Sequence, residues 1–249
     1  MSTWNERIWL PSWLVLILLA TPAPAEERRL ANGRDLDGWD GDPRFWRVEE
    51  GAIVGETGVE NRAPGNTFLI WSGGPLPADF ELQLEVKLTP KNDEGFANSG
   101  IQVRSVVQNA AIWRVLGLQA DISAIPGQFG FIYDEGGPGR GAGFGEKWLV
   151  SDPPSGSPEA ERHEVVRKTV ATFGPPAELL KGIHHRDAWN DYRVRVQGTI
   201  VQVFVNGVQT AEMDNQSTLQ PLGDTLALQL HAGPPMKVEF RHFVLRPLP

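Results

Sequence analysis

An all-β sandwich of the jelly-roll type is the fold class predicted by three features of the chain. Past residue 25, short runs alternate apolar and polar residues, Gly, Pro, Asn and Asp separate them at short intervals, and little helical periodicity is sustained. "FWRVEEGAIVGE" (Phe45 to Glu56) reads as a strand, a Glu-Gly turn and a second strand, and "TFLIWS" as another. In "FELQLEVKLT" (Phe80 to Thr89), Phe80, Leu82, Leu84, Val86 and Leu88 face one way, and Glu81, Gln83, Glu85 and Lys87 the other. "SGIQVRS" sets Ile101 and Val103 against Gln102 and Arg104, and "GLQADI" sets Leu118, Ala120 and Ile122 against Gln119 and Asp121. Hairpin signals at Gln197-Gly198 and Asn206-Gly207 divide "DYRVRVQGTIVQVFVNGVQTAEMD" into strands. "LALQLHAGPPMKVEFRHF" (Leu226 to Phe243) closes the pattern with two strands around a Gly-Pro-Pro turn.

Residues Glu135 to Arg186 break this regularity. "DEGGPGRGAGFGEKW" is glycine-rich, "SDPPSGSPEAERHE" is polar and proline-rich, and "PPAELLKGI" predicts a short helix with Pro176 at its start. They are expected to form long loops over one sheet of the sandwich, since long loops in a compact domain commonly carry function.

At 249 residues and 41% hydrophobic composition, the chain can bury one substantial core, and residues 26–249 are expected to form one domain. Residues 1–25 carry Arg7, an apolar run from Ile8 to Ala20 and then Ala23-Pro24-Ala25, the pattern of a signal peptide cleaved after Ala25. The run, interrupted by Pro11 and Ser12, is shorter than the ~20 residues that span a bilayer. An uncleaved signal anchor is the alternative; cleavage implies a secreted or periplasmic protein. Cysteine is absent, which excludes disulfides and thiol chemistry. A net charge of -8 argues against nucleic acid and anionic membranes as partners.

The polar faces of four strands offer candidate site residues. Gln119 and Asp121 are uncharged or short polar groups on poor strand formers, running toward the glycine-rich segment. Gln229 and His231 share a face and end at the Gly233-Pro234-Pro235 turn, which places the imidazole near a rim that loops can cover. Glu81, Gln83 and Lys87 are read as an ordinary solvated sheet face. His163, His184 and His185 read as solvated loop histidines. Trp113 and Trp148 flank the polar strand and the glycine-rich segment, where an indole stacks on a sugar ring or packs against the core.

Six segments in order, "LANGRDLDGW", "NSGIQVRS", "LGLQADI", "GFIYDEGGPGRG", "AWNDYRVRVQGTIVQVFVNG" and "LALQLHAGPPMKVEFRHFVLRPL", resemble the 3-keto-disaccharide hydrolase family, also described as 3-keto-glycoside lyases. The resemblance spans almost the whole chain after residue 25 and implies a concanavalin-like jelly roll. Two segments depart from the family pattern: Gly136-Gly137-Pro138-Gly139 separates "YDE" from Arg140, and Lys147 to Arg186 is longer and more irregular. Both lie where a substrate would meet the loops.

The activity implied is cleavage of a glycoside already oxidised at C3 by a separate sugar oxidoreductase, by elimination or hydrolysis. Elimination needs a base at C2, a group that stabilises the C3 oxyanion and an acid for the departing oxygen. His231 suits base or acid, Asp121 and Glu135 the complementary carboxylate, and Arg104 or a divalent metal ion the oxyanion. Direct hydrolysis would draw a carboxylate pair from Glu85, Asp121 and Glu135. His231, Asp121 and Glu135 offer mixed ligands to a divalent ion, without a diagnostic close spacing. Gln119, Asn98, Tyr133, Gln229, Arg140, Trp113 and Trp148 complete the expected substrate contacts. The alternatives are a non-catalytic glycan-binding module and a cell-surface interaction domain.

Overall fold

The computed structural model describes residues 26–137, 139–219 and 223–249; the expected signal peptide lies outside them. The strands are β1 Arg28–Arg29, β2 Trp39–Asp40, β3 Trp46–Glu49, β4 Ala52–Glu56, β5 Thr67–Trp71 and β6 Phe80–Pro90. There follow β7 Asn98–Asn109, β8 Arg114–Ser123, β9 Ile132–Glu135, β10 Gly139–Ala142, β11 Glu146–Ser151 and β12 Val166–Thr172. The last five are β13 Asn190–Gln197, β14 Ile200–Val205, β15 Val208–Asn215, β16 Thr225–Leu230 and β17 Met236–Pro247. Two sheets result. The larger runs β12-β11-β15-β14-β13-β6-β17-β4-β3, with β1 added to β17, and the smaller runs β10-β9-β8-β7-β16-β5-β2.

The inward faces of the two sheets make the core, as period-two alternation requires. Leu82, Leu84 and Val86 of β6 register with Val194, Tyr192 and Asn190 of β13, and all are buried. From the smaller sheet, Ile101, Val103, Leu118, Ala120, Leu228 and Leu230 meet them. Asn206 and Gly207 both take positive φ, at 49° and 81°, in the turn that joins β14 to β15. That conformation is the one their side chains were expected to permit.

The stretch from Glu135 to Arg186, expected as loops, contributes three strands, β10, β11 and β12, between its loops. β10 pairs with β9 at the edge of the smaller sheet, and β11 crosses to the larger one, where it pairs in parallel with β15 and antiparallel with β12. Open sheet edges supply hydrogen-bond partners to backbone that local composition alone leaves unpaired. The crossing is pinned where Gly145 N–H donates to Thr210 O at 2.6 Å and Phe173 N–H to Gly145 O at 2.8 Å. A short helix, α1, forms at Pro158–Glu161 with Ser157 as its cap, and the expected one, α2, at Pro176–Leu179.

One buried hydrogen bond ties the sheets beside the polar face. Tyr192 Oη, on β13, donates at 2.7 Å to the main-chain oxygen of Asp121, on β8. Burial holds the Tyr192 phenol well above its usual range, so it remains a donor. The same oxygen also accepts from Gly130 N–H at 2.8 Å. Tyr192→Phe therefore removes one bond without leaving the acceptor bare. A loss of about 1 kcal/mol in denaturant unfolding is expected, and an unchanged midpoint would show that this tie does not support the fold.

Candidate active site

Across β16, β7, β8 and β9, side chains that face away from the core form a polar floor which is nonetheless buried. Gln102 and Gln229 are fully buried, as are Gln119, Asp121 and Glu135 to within 5% exposure. An ordinary solvated sheet face would leave such side chains open to water. Strand register sets the floor in rows: Gln229, Gly100 and Asp121 lie opposite one another, and beside them Ala227, Gln102, Gln119 and Tyr133. Above it lies a cleft of about 630 Å³ walled by Phe96, Phe131, Arg114 and His231.

A buried polar layer is stable only when its groups are hydrogen-bonded, and here the bonds share one direction. Ser105 Oγ donates to Gln102 Oε1 at 2.7 Å, Gln102 Nε2 to Gln119 Oε1 at 2.8 Å, and Gln119 Nε2 to Asp121 Oδ1 at 2.8 Å. Asn98 Nδ2 donates to both oxygens of Asp121, at 3.3 and 3.1 Å. Burial pushes the Asp121 carboxyl up to about 8, overcoming the downward pull of the Gln119 and Asn98 bonds, and the charge of Glu135 adds to the rise. The shift is toward the acid form, which burial favours over the carboxylate.

Glu135 occupies the neighbouring corner, held by three side chains. Asn66 Nδ2 and Gln229 Nε2 each donate to it at 3.1 Å, and an Arg114 guanidinium nitrogen lies 3.2 Å away. Asn66 also accepts from Ala232 N–H at 3.0 Å, which fixes the backbone just past His231. His231 follows β16 directly, with its ring edge-on to Phe96 at 5.7 Å between centroids. Its Nδ1 faces the main-chain oxygen of Ala232. A nitrogen facing a carbonyl carries the hydrogen, which leaves Nε2 as the basic position.

The cleft gathers most of the expected residues: His231, Asp121, Glu135, Gln119, Asn98, Tyr133 and Gln229 all line it. Four others lie outside it. Glu85 belongs to the larger sheet, where Arg241 donates to it at 2.6 Å and His242 lies at 3.1 Å. Arg104 takes a positive φ of 50° at a register break in β7, which turns it to the opposite side. There it bonds Asp79 and Gly198 O at 3.2 and 2.8 Å and cannot serve an oxyanion in the cleft. Trp148 sits on β11 in the larger sheet, its indole N–H bonded to Glu146. Trp113 lines an adjacent groove, not the cleft. Arg140 stands opposite Tyr133 in the β10–β9 pairing, and its side chain lies outside the described residues.

Sequence reading missed Asn66, Phe96, Arg114, Gln128 and Phe131. Arg114 alone carried a signal, as a charge opening the strand that contains Gln119 and Asp121. Among the described residues, no group of His, Asp and Glu is arranged to hold a metal ion. Asp121, moreover, faces N–H donors on both oxygens, the opposite of a cation's requirement. The expected divalent site does not fit these side chains.

A family model described as a 3-keto-alpha-glucoside-1,2-lyase-like domain matches residues 26–246. The chain belongs to this family. Two solved structures of provisionally assigned glycosyl hydrolases from Parabacteroides distasonis are similar in fold. One is 17% identical, with a TM-score of 0.52 over 90% of this chain and 94% of the other. The second is 14% identical, with a TM-score of 0.53 over 90% of this chain and 100% of the other. Among curated proteins, none matches the chain. Membership of the 3-keto-alpha-glucoside-1,2-lyase-like family marks a carbohydrate-active protein and accords with a cleft floored by amides and carboxyls.

Two outcomes are expected of the floor. The folded-state value of Asp121, about 8, lies above the ~3.9 of an unfolded aspartate. Its contribution to stability is thus full below pH ~4 and lost as pH rises through about 8. Asp121→Asn cannot ionise, so its stability relative to wild type should climb between those limits and then level off in denaturant titrations at stepped pH. Parallel curves would mean that Asp121 titrates as an ordinary carboxylate. Gly100→Ala sets a Cβ 2.3 Å from Gln119 Cδ and Cγ, which displaces the amide from Asp121. A loss of about 1–3 kcal/mol is expected from unfolding curves.

Proposed function

We propose that the protein cleaves the glycosidic bond of 3-keto-glucosides by β-elimination. The observation that carries this reading is a buried Asp121, its carboxyl pushed up to about 8 by burial, in the same cleft as a histidine whose Nδ1 faces a main-chain oxygen and leaves Nε2 unengaged. Acid and base of this kind are what elimination next to a ketone demands.

The C3 ketone acidifies the C2 hydrogen. His231 Nε2 takes that proton, and the C–H electron pair becomes the C2=C3 bond of an enediolate with its charge on the C3 oxygen. Arg114, the guanidinium that lines the cleft, stabilises this oxyanion. The enediolate then re-forms the ketone, the pair moves to C1=C2, and the C1–O bond breaks with its electrons on the leaving oxygen. Asp121 supplies the proton that oxygen needs. Addition of water across C1=C2 would turn the lyase product into a free 3-keto-sugar, so overall hydrolysis follows from the same first step. Glu135 holds Arg114 and Gln229 in place. The substrate must come from a separate oxidoreductase acting at C3, and the signal-peptide pattern of residues 1–25 supports a reaction in the periplasm or outside the cell.

The decisive assay offers the purified protein a 3-keto-α-glucoside and its unoxidised parent. Cleavage of the oxidised sugar alone supports the reading, and binding of either without turnover would make this a glycan-binding module. In the same assay His231→Asn should lower kcat by about 10²- to 10⁴-fold with little change in melting temperature. The kcat/KM of wild type should fall as pH rises through about 8, where Asp121 loses its proton.

A further inference from the structure

Asn66 lies outside the strands, at the end of the loop that leads from β4 into β5, yet its side chain reaches the wall of the cleft. We propose that Asn66 is a positioning residue: through the backbone of Ala232 it holds His231 in the one tautomer and orientation that leave Nε2 open as a base. This role rests on the elimination reading for what that nitrogen does, whereas which nitrogen carries the hydrogen is measurable without turnover.

The partners of the Asn66 amide settle which way round it sits. Its Nδ2 lies 3.1 Å from Glu135 Oε1, a carboxyl oxygen that also faces the Arg114 guanidinium at 3.2 Å and so accepts. Its Oδ1 lies 3.0 Å from Ala232 N, a main-chain donor. Turned over, the amide would set acceptor against acceptor at one end and donor against donor at the other. Glu135 is a firm anchor, because it is buried on β9 and takes a further bond from Gln229 Nε2 at 3.1 Å. Asn66 thus ties the segment that follows β16 to the position of β9.

That segment has few other restraints. β16 ends at Leu230, and beyond Ala232 the next backbone tie among the described residues falls at Pro235, whose oxygen accepts from Lys91 N–H and Asn92 Nδ2, each at 2.9 Å. Between them Gly233 takes a φ of 133°, and with no side chain it does little to restrict the peptide that carries Ala232 O. His231 Nδ1 faces that oxygen. A carbonyl only accepts, so the hydrogen sits on Nδ1 while the contact lasts. A neutral histidine side chain in water prefers the other tautomer, with its hydrogen on Nε2. The bond to Ala232 O therefore works against the intrinsic preference of the ring, and it holds only as well as the backbone that offers it. Asn66 is what holds that backbone.

Asn66→Leu removes both bonds at nearly constant side-chain size. Long-range proton–nitrogen correlation spectra of the histidine rings, recorded where the imidazoles are neutral, report which nitrogen of His231 carries the hydrogen, and His231→Asn assigns the signals. Wild type should show it on Nδ1, and Asn66→Leu should move most of the population to Nε2. With a methyl 3-keto-α-glucoside, kcat should then fall about tenfold while KM changes by less than about twofold. Asn66→Asp keeps the oxygen that faces Ala232 and should retain the wild-type tautomer, which a side chain that merely fills space would not explain. A wild-type ring with its hydrogen on Nε2, or an Nδ1–H signal that persists in Asn66→Leu, overturns the proposal; so does an Asn66→Asp spectrum that matches Asn66→Leu. A tautomer that moves as expected while the wild type cleaves no 3-keto-glycoside, or while kcat holds, keeps the positioning role and defeats the reading of His231 as the base. Should Asn66→Leu fail to fold, Asn66→Ala, beside the exposed Pro64 and Gly65, is read by the same spectra with the same sign.

Discussion

The structure depends on keeping a layer of amides and a carboxyl out of water on the far side of a sheet whose near side is already core. Such a layer is stable only if its donors and acceptors match, and the chain Ser105 to Gln102 to Gln119 to Asp121 does so with every proton pointing toward Asp121. Its details follow from that demand. Gly100 lacks a side chain because Gln119 needs the space, and Ser105 reaches the layer because the bulge at Arg104 shifts the alternation by one. The acidity of the site is a by-product of the same burial.

The two sheets share an alternating pattern and put it to different uses. On the outside of the larger sheet, long charged side chains pair at the edge of solvent, half-buried, as Lys87 does with Glu239 at 2.8 Å and Arg193 with Glu81 at 3.5 Å. On the smaller sheet the corresponding positions carry glutamine, asparagine, serine and one aspartate, which are short enough to lie flat and neutral enough to bury. Chemical character, more than polarity, separates a wet face from a site.

That difference explains what was legible in the sequence. Period-two alternation located the strands, the core face and most of the floor, because Gln119, Asp121 and Gln229 need only local geometry to share a side. It could not say which of two sheets a strand would join, so Glu85 and Trp148 were drawn to the cleft although both belong to the larger sheet. A single bulge removed Arg104. Asn66, Phe96, Gln128 and Phe131 lie in connections whose positions are set by tertiary packing, and nothing in their local sequence marks them. The glycine-rich stretch became strand because two sheet edges were waiting for it.

β17 lies between β6 and β4, and it also carries β1 on its flank. The strand that comes last among those described is thus the one that joins the larger sheet across its middle, with partners some 150 to 190 residues earlier in the chain. Until it arrives, the strands on either side have unpaired edges and the core has no continuous wall. The larger sheet therefore closes across its middle only when β17 is in place; truncation within β17 would divide it into two unjoined parts.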